Sequence, residues 1–360
     1  MSNPEFWRGL RVLVTGQTGF KGAWLCLWLE QLGAKVSAFA LPPRTQPSLY
    51  ELAGPWTGQD HAITDLADRG AVLRAIETAK PQIVFHLAAQ ALVRASYRDP
   101  VGTFATNVMG TLHVLDACRS VPGVEAVVVV TTDKVYENLG AEQPFHETDR
   151  LGGKDPYSSS KACAELAVVS FRDSFLARDR PPFLATVRAG NVVGGGDWSQ
   201  DRLIPDVVRA LTAGQKVALR YPHAVRPWQH VLEPLRGYLM LAERLATWPS
   251  DAPSAVNFGP DPDSFLTVAE VVDILKTAFP DAKGWEQAPG DHAAEAKTLT
   301  LSSHLAEKRL GWRPRLSMAQ TIRWTADWYR LQARGASART LCLEQISDYQ
   351  ALCSWEARAT

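Results

Sequence analysis

The chain has 360 residues, 46% of them hydrophobic and 21% charged, with 38 Lys and Arg balanced by 38 Asp and Glu. That composition can bury a sizeable core and excludes extended disorder; zero net charge and a pI near 7.1 exclude an overall pull toward nucleic acid or an anionic bilayer. No apolar run reaches the ~18 residues of a membrane span, since Trp24–Leu32 is broken by Glu30, so no membrane-integral role is expected.

In chain order, β-branched runs alternate with helical periodicity. Strands are expected at Arg11–Thr15, Lys35–Leu41, a weak one at His61–Ile63, then Ile83–Leu87, Ala126–Thr131 and Leu184–Val187. Between them, Gly22–Leu32, Arg69–Ala79, Gly102–Arg119 and Pro156–Arg178 repeat apolar residues at helical spacing. The alternation predicts an α/β fold, a Rossmann-type doubly wound parallel sheet. After Val187 the texture changes to glycine-rich Gly190–Trp198 and proline-rich Pro222–Pro234, which marks a smaller C-terminal substrate-binding lobe. Residues 1–188 are assigned to the dinucleotide-binding domain, with 231–257 returning to it through a strand at Ala255–Phe258. Residues 189–230 and 258–350 form the lobe, with helices at Thr267–Phe279, Met318–Ala333 and Leu341–Ala351. Five scattered cysteines without a C-x-x-C pair read as reduced and structural, and few residues precede the first strand, so a cytoplasmic protein is expected. No histidine or cysteine shows metal-ligand spacing.

Three motifs carry chemistry. Thr15-Gly16-Gln17-Thr18-Gly19-Phe20-Lys21-Gly22 joins the first strand to the first helix, where Gly16, Gly19 and Gly22 permit a tight turn and close approach to a pyrophosphate at the helix N-terminus. Tyr157 and Lys161 stand four apart at the start of a helix, so phenol and ammonium share one face and the cation is expected to lower the tyrosine pKa. Asp133-Lys134 follows Thr132 at a strand end, an acid and a potential base side by side. The second strand lacks the carboxylate that grips an adenosine ribose, and Arg44 beyond it is a candidate for a 2′-phosphate or a solvated loop arginine. Asp65-Leu66 is a candidate adenine contact, Trp198 and Trp228 are candidate stacking platforms, and Arg202, Arg220 and Arg226 suit a diphosphate.

Gly16/Gly19/Gly22, His86-Leu87-Ala88-Ala89-Gln90, Asn107, Tyr157/Lys161 and Arg188-Ala189-Gly190-Asn191 together resemble the extended short-chain dehydrogenase/reductase family. Thr132–Asn138, Leu151–Tyr157, Gly194-Gly195-Gly196-Asp197-Trp198 and Arg226–Pro234 resemble its CDP-glucose 4,6-dehydratase branch. The resemblance implies NAD as cofactor, held by Gly16, Thr18, Gly19, Phe20, Gly22, Asp65, Leu66, Leu87, Ala88, Gln90, Tyr157 and Lys161, and a nucleotide sugar held by Asn191, Arg202, Arg226 and Gln229.

On that reading Tyr157 removes the C4 hydroxyl proton while Thr132 and Lys161 orient the hydroxyl, a neutral Lys134 takes the C5 proton, and protonated Asp133 donates to the departing C6 hydroxyl. The last two roles require desolvation to lower one pKa and raise the other. The rival readings are a nucleotide-sugar 4-epimerase, against which Asp133-Lys134 argues, and a non-catalytic nucleotide-sensing protein, against which Tyr157 and Lys161 argue. By analogy, Gly102–Arg119 and Pro156–Arg178 pair with their copies in a homodimer or homotetramer.

Overall fold

The computed structural model describes residues 3–56, 60–140, 143–176, 180–200, 202–261, 265–279, 283–289 and 299–356. Short apolar runs buried on both faces make the strands of a parallel sheet covered by helices on each side. These are β1 (Arg11–Thr15), β2 (Lys35–Ala40), β3 (Asp60–Ile63), β4 (Ile83–His86), β5 (Ala126–Val130), β6 (Phe183–Ala189) and β7 (Ala255–Phe258). They form one seven-stranded sheet, ordered β7-β6-β5-β4-β1-β2-β3, with every neighbouring pair parallel. The order reverses between β1 and β4, so their carboxyl ends, where Thr15 pairs with His86, open the crevice in which such sheets bind ligands.

The main helices are α1 (Phe20–Gln31), α2 (Arg69–Ala79), α3 (Gly110–Ser120), α4 (Pro156–Phe175), α5 (Leu203–Thr212), α6 (Leu232–Thr247), α7 (Val268–Lys276), α8 (His304–Leu310), α9 (Met318–Ala333) and α10 (Ala338–Glu356). No described helix is long and apolar enough to cross a membrane. Helix α1 is buried along Gly22–Leu29, and it packs against α10, with Trp28 edge-on to Tyr349. One hydrophobic cluster runs from Trp7 through α1, α6 and α9 to Cys353, so the C-terminal elements share the core of the sheet. All five cysteines are free thiols.

Two expected helices differ from the observed ones. Gly102–Arg119 is three joined segments: a turn of α-helix at Pro100–Phe104, a π-helical turn at Ala105–Met109, and α3. The extra residue of the π turn carries Asn107 inward, and Thr111 Oγ1 ties back to the Asn107 carbonyl at 2.7 Å. The helix begun at Pro156 ends at Phe175, and Ala177 and Arg178 of the expected span lie outside the described residues.

A buried ion pair locks the sheet to α4. Arg188 on β6 donates through Nε and Nη2 to the two carboxylate oxygens of Glu165, both at 2.9 Å, with both side chains at most 4% exposed. Glu165 also accepts from Thr131 Oγ1 at 2.5 Å and Thr186 Oγ1 at 2.7 Å, while Arg188 Nη1 reaches the Tyr136 hydroxyl at 2.7 Å. Every strong acceptor position of the carboxylate is therefore used, which is the condition under which a buried charge is tolerated. Changing Glu165 to Gln leaves Arg188 charged and uncompensated, so urea unfolding should show a loss of about 3–5 kcal/mol. A loss below about 1 kcal/mol would show that the pair does not brace the fold.

Candidate active site

The glycine turn after β1 is shaped by space rather than by side-chain bonds. Gly16 has φ +86°, and a Cβ there would lie 2.8 Å from the Ala88 backbone nitrogen; on Gly22 it would collide with the Gly16 carbonyl. Helix α1 has Gly19 at its N-cap and no side-chain cap, so its first amides face outward at the positive end of the dipole. A cradle that excludes any Cβ and presents uncapped amides fits a dinucleotide pyrophosphate. Leu87 and Ala88 form its far wall, Ala88 being held by its N–H on Thr15 Oγ1 at 3.1 Å. Thr18 Oγ1 fastens the turn to the Leu41 carbonyl at 2.8 Å, and Arg44 is exposed beyond it.

Several expected cofactor residues also make contacts within the scaffold. Leu66 is packed beneath Gly110, where a Cβ would meet it at 2.8 Å, and Asp65 caps the Ala67 amide at 2.9 Å. Both ends of the Gln90 amide are held inside its own loop, by the Leu92 backbone and Thr103 Oγ1. Asn107 clamps that loop through the Gln90 backbone at 2.8 and 3.0 Å and reaches Ser160 of α4 at 2.9 Å. His86, between Thr15 and Thr111, is pushed by burial down to about 3 and is a neutral part of this frame.

At the end of β5 the chain turns through Thr132-Asp133-Lys134 in a 3-10 turn, facing the start of α4. Asp155 caps α4 through the Ser158 amide at 3.0 Å, and the Tyr157 amide donates to Ser96 Oγ at 3.2 Å, which places Tyr157 on the cleft wall. The Thr132 hydroxyl donates to Asp133 Oδ1 at 2.9 Å. Burial raises the Asp133 carboxyl against the opposing pull of Lys134, Thr132 and Lys21. Gly190 leaves the room beside it, since a Cβ there would stand 3.1 Å from Asp133 Oδ2.

The expected electrostatics of the tyrosine–lysine pair are not what the structure shows. Burial pushes the Tyr157 phenol up to about 12, opposed by the Thr132 hydrogen bond and the Arg202 cation rather than by Lys161. Lys161 Nζ turns to the Val130 carbonyl at 2.9 Å, and burial lowers it to about 8. Lys134, expected to be desolvated, is exposed on the cleft lining.

The cleft, about 890 Å³, runs from Tyr157 and Thr132 to the Val217–Tyr221 segment of the lobe. It brings together Thr132, Asp133, Lys134, Tyr157, Asn191, Arg202 and Arg226, with Trp228 and Arg220 along its length. Its seven cationic side chains face three carboxylates, a local excess hidden by the zero net charge of the chain. Gln229 is not on this lining: it is buried, its Nε2 donating to the Phe258 carbonyl at 2.7 Å. Alternation along the strand Trp228–His230 sends it to the opposite side from its neighbours. Trp198 likewise packs edge-on against Tyr329 away from the cleft.

Lys21 was missed, although it lies in the middle of the glycine motif. It lines the cleft, and burial together with the Arg202 and Lys161 cations lowers it to about 8, with Asp133 and Asp197 opposing. A cation in the first turn of a helix sits against the dipole, and that unfavourable placement was the legible signal.

Residues 12–259 match the model of the NAD dependent epimerase/dehydratase family. The chain is 43% identical over 353 residues to the CDP-glucose 4,6-dehydratase of Salmonella typhimurium, covering 97% of this chain and 98% of that one. It is 27% identical to a dTDP-glucose 4,6-dehydratase of Xanthomonas campestris pv. campestris, over 88% of this chain and 92% of that one. Among solved structures, the UDP-glucose 4-epimerase of Thermus thermophilus in complex with NAD superposes with a TM-score of 0.75 at 27% identity, covering 91% of this chain and all of that one.

Proposed function

The chain belongs to the NAD-dependent epimerase/dehydratase family, and from that premise we propose that it converts CDP-glucose to CDP-4-keto-6-deoxyglucose with loss of water. The observation that carries this reading is Asp133, buried beside Thr132 and Tyr157 with its carboxyl raised. Oxidation and return at C4 alone, as in an epimerase, leave such an acid without a task; elimination across C5 and C6 requires one. The 43% identity to a CDP-glucose 4,6-dehydratase supports the choice of base and sugar.

Bound NAD, held by the glycine turn, α1 and the Leu87-Ala88 wall, supplies a reversible two-electron sink at the sugar. The protein supplies the proton traffic. Tyr157 and Asp133 flank Thr132, whose hydroxyl donates to Asp133. In this arrangement Tyr157 serves the C4 hydroxyl proton and Asp133, its carboxyl raised by burial, protonates the departing C6 hydroxyl. Lys161, anchored on Val130, and Thr132 hold the C4 oxygen in place. The ketone at C4 acidifies C5–H, and Lys134 on the cleft lining is the group placed to take that proton. Arg202 and Arg226 bind the diphosphate, and Asn191 the sugar end.

Several large apolar side chains are exposed on adjoining helical elements. Tyr97, Val101 and Met109 are 66%, 79% and 48% exposed, and Leu166 and Phe175 on the adjoining α4 are 57% and 58% exposed. We assign this face to a homodimer, in which light scattering should report twice the 39.5 kDa chain mass; a single-chain mass at micromolar concentration would exclude it.

Purified protein with NAD and CDP-glucose should form a 6-deoxy-4-keto sugar nucleotide, seen as a new methyl resonance by NMR. A C4 epimer instead would assign the epimerase reading, and binding without any change the sensing one. Lys134→Met should still build reduced-nicotinamide absorbance on adding substrate while product formation falls about 100-fold or more. Tyr157→Phe should show neither. A Lys134→Met enzyme with parental turnover would move the C5 base to another residue.

A further inference from the structure

Gly194-Gly195-Gly196-Asp197-Trp198 is the one singled-out motif that the chemistry above leaves without a task. Its three glycines pass through space that side chains cannot share: a Cβ on Gly194 would lie 2.9 Å from Val231, on Gly195 it would collide with the Trp328 ring, and on Gly196, at φ +82°, it would lie 2.7 Å from Leu49. Trp24 of α1 donates to the Gly195 carbonyl at 3.0 Å, and the Tyr329 hydroxyl of α9 donates to the Asp197 carbonyl at 2.5 Å. The loop is therefore gripped from both sides by the core.

What this grip fixes in space is a carboxylate. Asp197 is 4% exposed; its Oδ1 accepts from the Ser199 amide at 3.0 Å and its Oδ2 from Arg202 Nη1 at 3.0 Å. Arg202 stands at the start of α5 with its side chain 37% exposed on the cleft lining. Among the described residues, that nitrogen makes the one hydrogen bond of the Arg202 side chain. An arginine fork has five donors in one plane, so a carboxylate holding one nitrogen sets the direction of the rest.

We infer that Asp197 is a positioning residue, which holds Arg202 by one nitrogen on a rigid glycine-built mount so that its remaining donors meet the diphosphate of the substrate. The inference rests on the nucleotide-sugar reading above and adds to it the element that makes one cation of the cleft directional. Long flexible arginines lose rotamer freedom on binding, and a mount that has already removed that freedom lowers the cost of capture.

A double-mutant cycle read by calorimetric titration with CDP tests it. Asp197→Asn should weaken CDP binding about tenfold, the size of one well-oriented charge-assisted hydrogen bond. Arg202→Ala should weaken it at least as much. In the Arg202→Ala background, Asp197→Asn should cost nothing and restore part of the affinity, because it removes a bare carboxylate from the path of the diphosphate. If the two losses multiply, Asp197 acts through the fold and not through Arg202, and the inference is overturned; parental affinity in Asp197→Asn overturns it too. Should Asp197→Asn fail to fold, Arg202→Lys replaces it: one ammonium cannot serve carboxylate and phosphate in two directions, so the same weakening is expected, and an unchanged Kd contradicts the mount. A parent protein that does not bind CDP at all would instead refute the nucleotide-sugar reading, and the inference with it.

Discussion

The buried pair between Arg188 and Glu165 is the constraint on which the rest of the site depends. Tyr157, Lys161 and Glu165 follow one another at intervals of four along one face of α4. The lowest of the three is pinned to β6 through Arg188 and to the end of β5 through Thr131. The middle one is pinned to β5 through the Val130 carbonyl. The uppermost is thereby set against Thr132 and Asp133, which follow Thr131 directly. Rotation of α4 cannot displace the phenol without also moving Glu165 off Arg188, so a bond away from the cleft helps fix the position of Tyr157 against Thr132 and Asp133. The same pair orients Tyr136, whose hydroxyl passes on to Asn257 of β7, so that β5, β6 and β7 are fixed in one hydrogen-bonded frame.

Burial and charge then divide the labour within the cleft. Desolvation raises Asp133 and Tyr157 and lowers Lys161 and Lys21, so each of these groups is driven toward its neutral form. Groups so shifted suit proton transfer, whereas the arginines farther out, with their planar forks, suit an anion. A chain with no net charge thus gathers desolvated titratable groups and a set of arginines within one crevice. The energetic cost of collecting those cations is carried by individual carboxylates, of which Asp197 is the best defined.

The parallel, doubly wound sheet and the positions of β1, α2 and β7 were legible because a parallel sheet buried on both faces leaves unmixed apolar runs between amphipathic helices. Helix α6 was not legible: Pro234 stands in its first turn and Leu232–Ala242 is buried throughout, including Glu233 and Arg236, polar residues that read from the sequence as surface positions. Helix α5 was obscured by Pro205 in its first turn and by the glycines before it, although Ile204, Val207, Val208 and Leu211 keep helical spacing. At the site, Tyr157, Lys161, Thr132 and Asp133 were legible as a spaced set. What spacing could not convey was which atom a side chain reaches: Lys161 turns to a backbone carbonyl, Gln229 to the core, and Gln90 to its own loop. Those directions are set by partners distant in sequence.

The central claim is that the hydrogen taken from C4 is carried within one active site and returned to C6. Supplying CDP-glucose bearing deuterium at C4 and locating the label in the product tests this directly. The account predicts a product with deuterium in the C6 methyl group and none at C4. Deuterium retained at C4 of an unreduced hexose, or washed out into solvent while a methyl group forms, would contradict it.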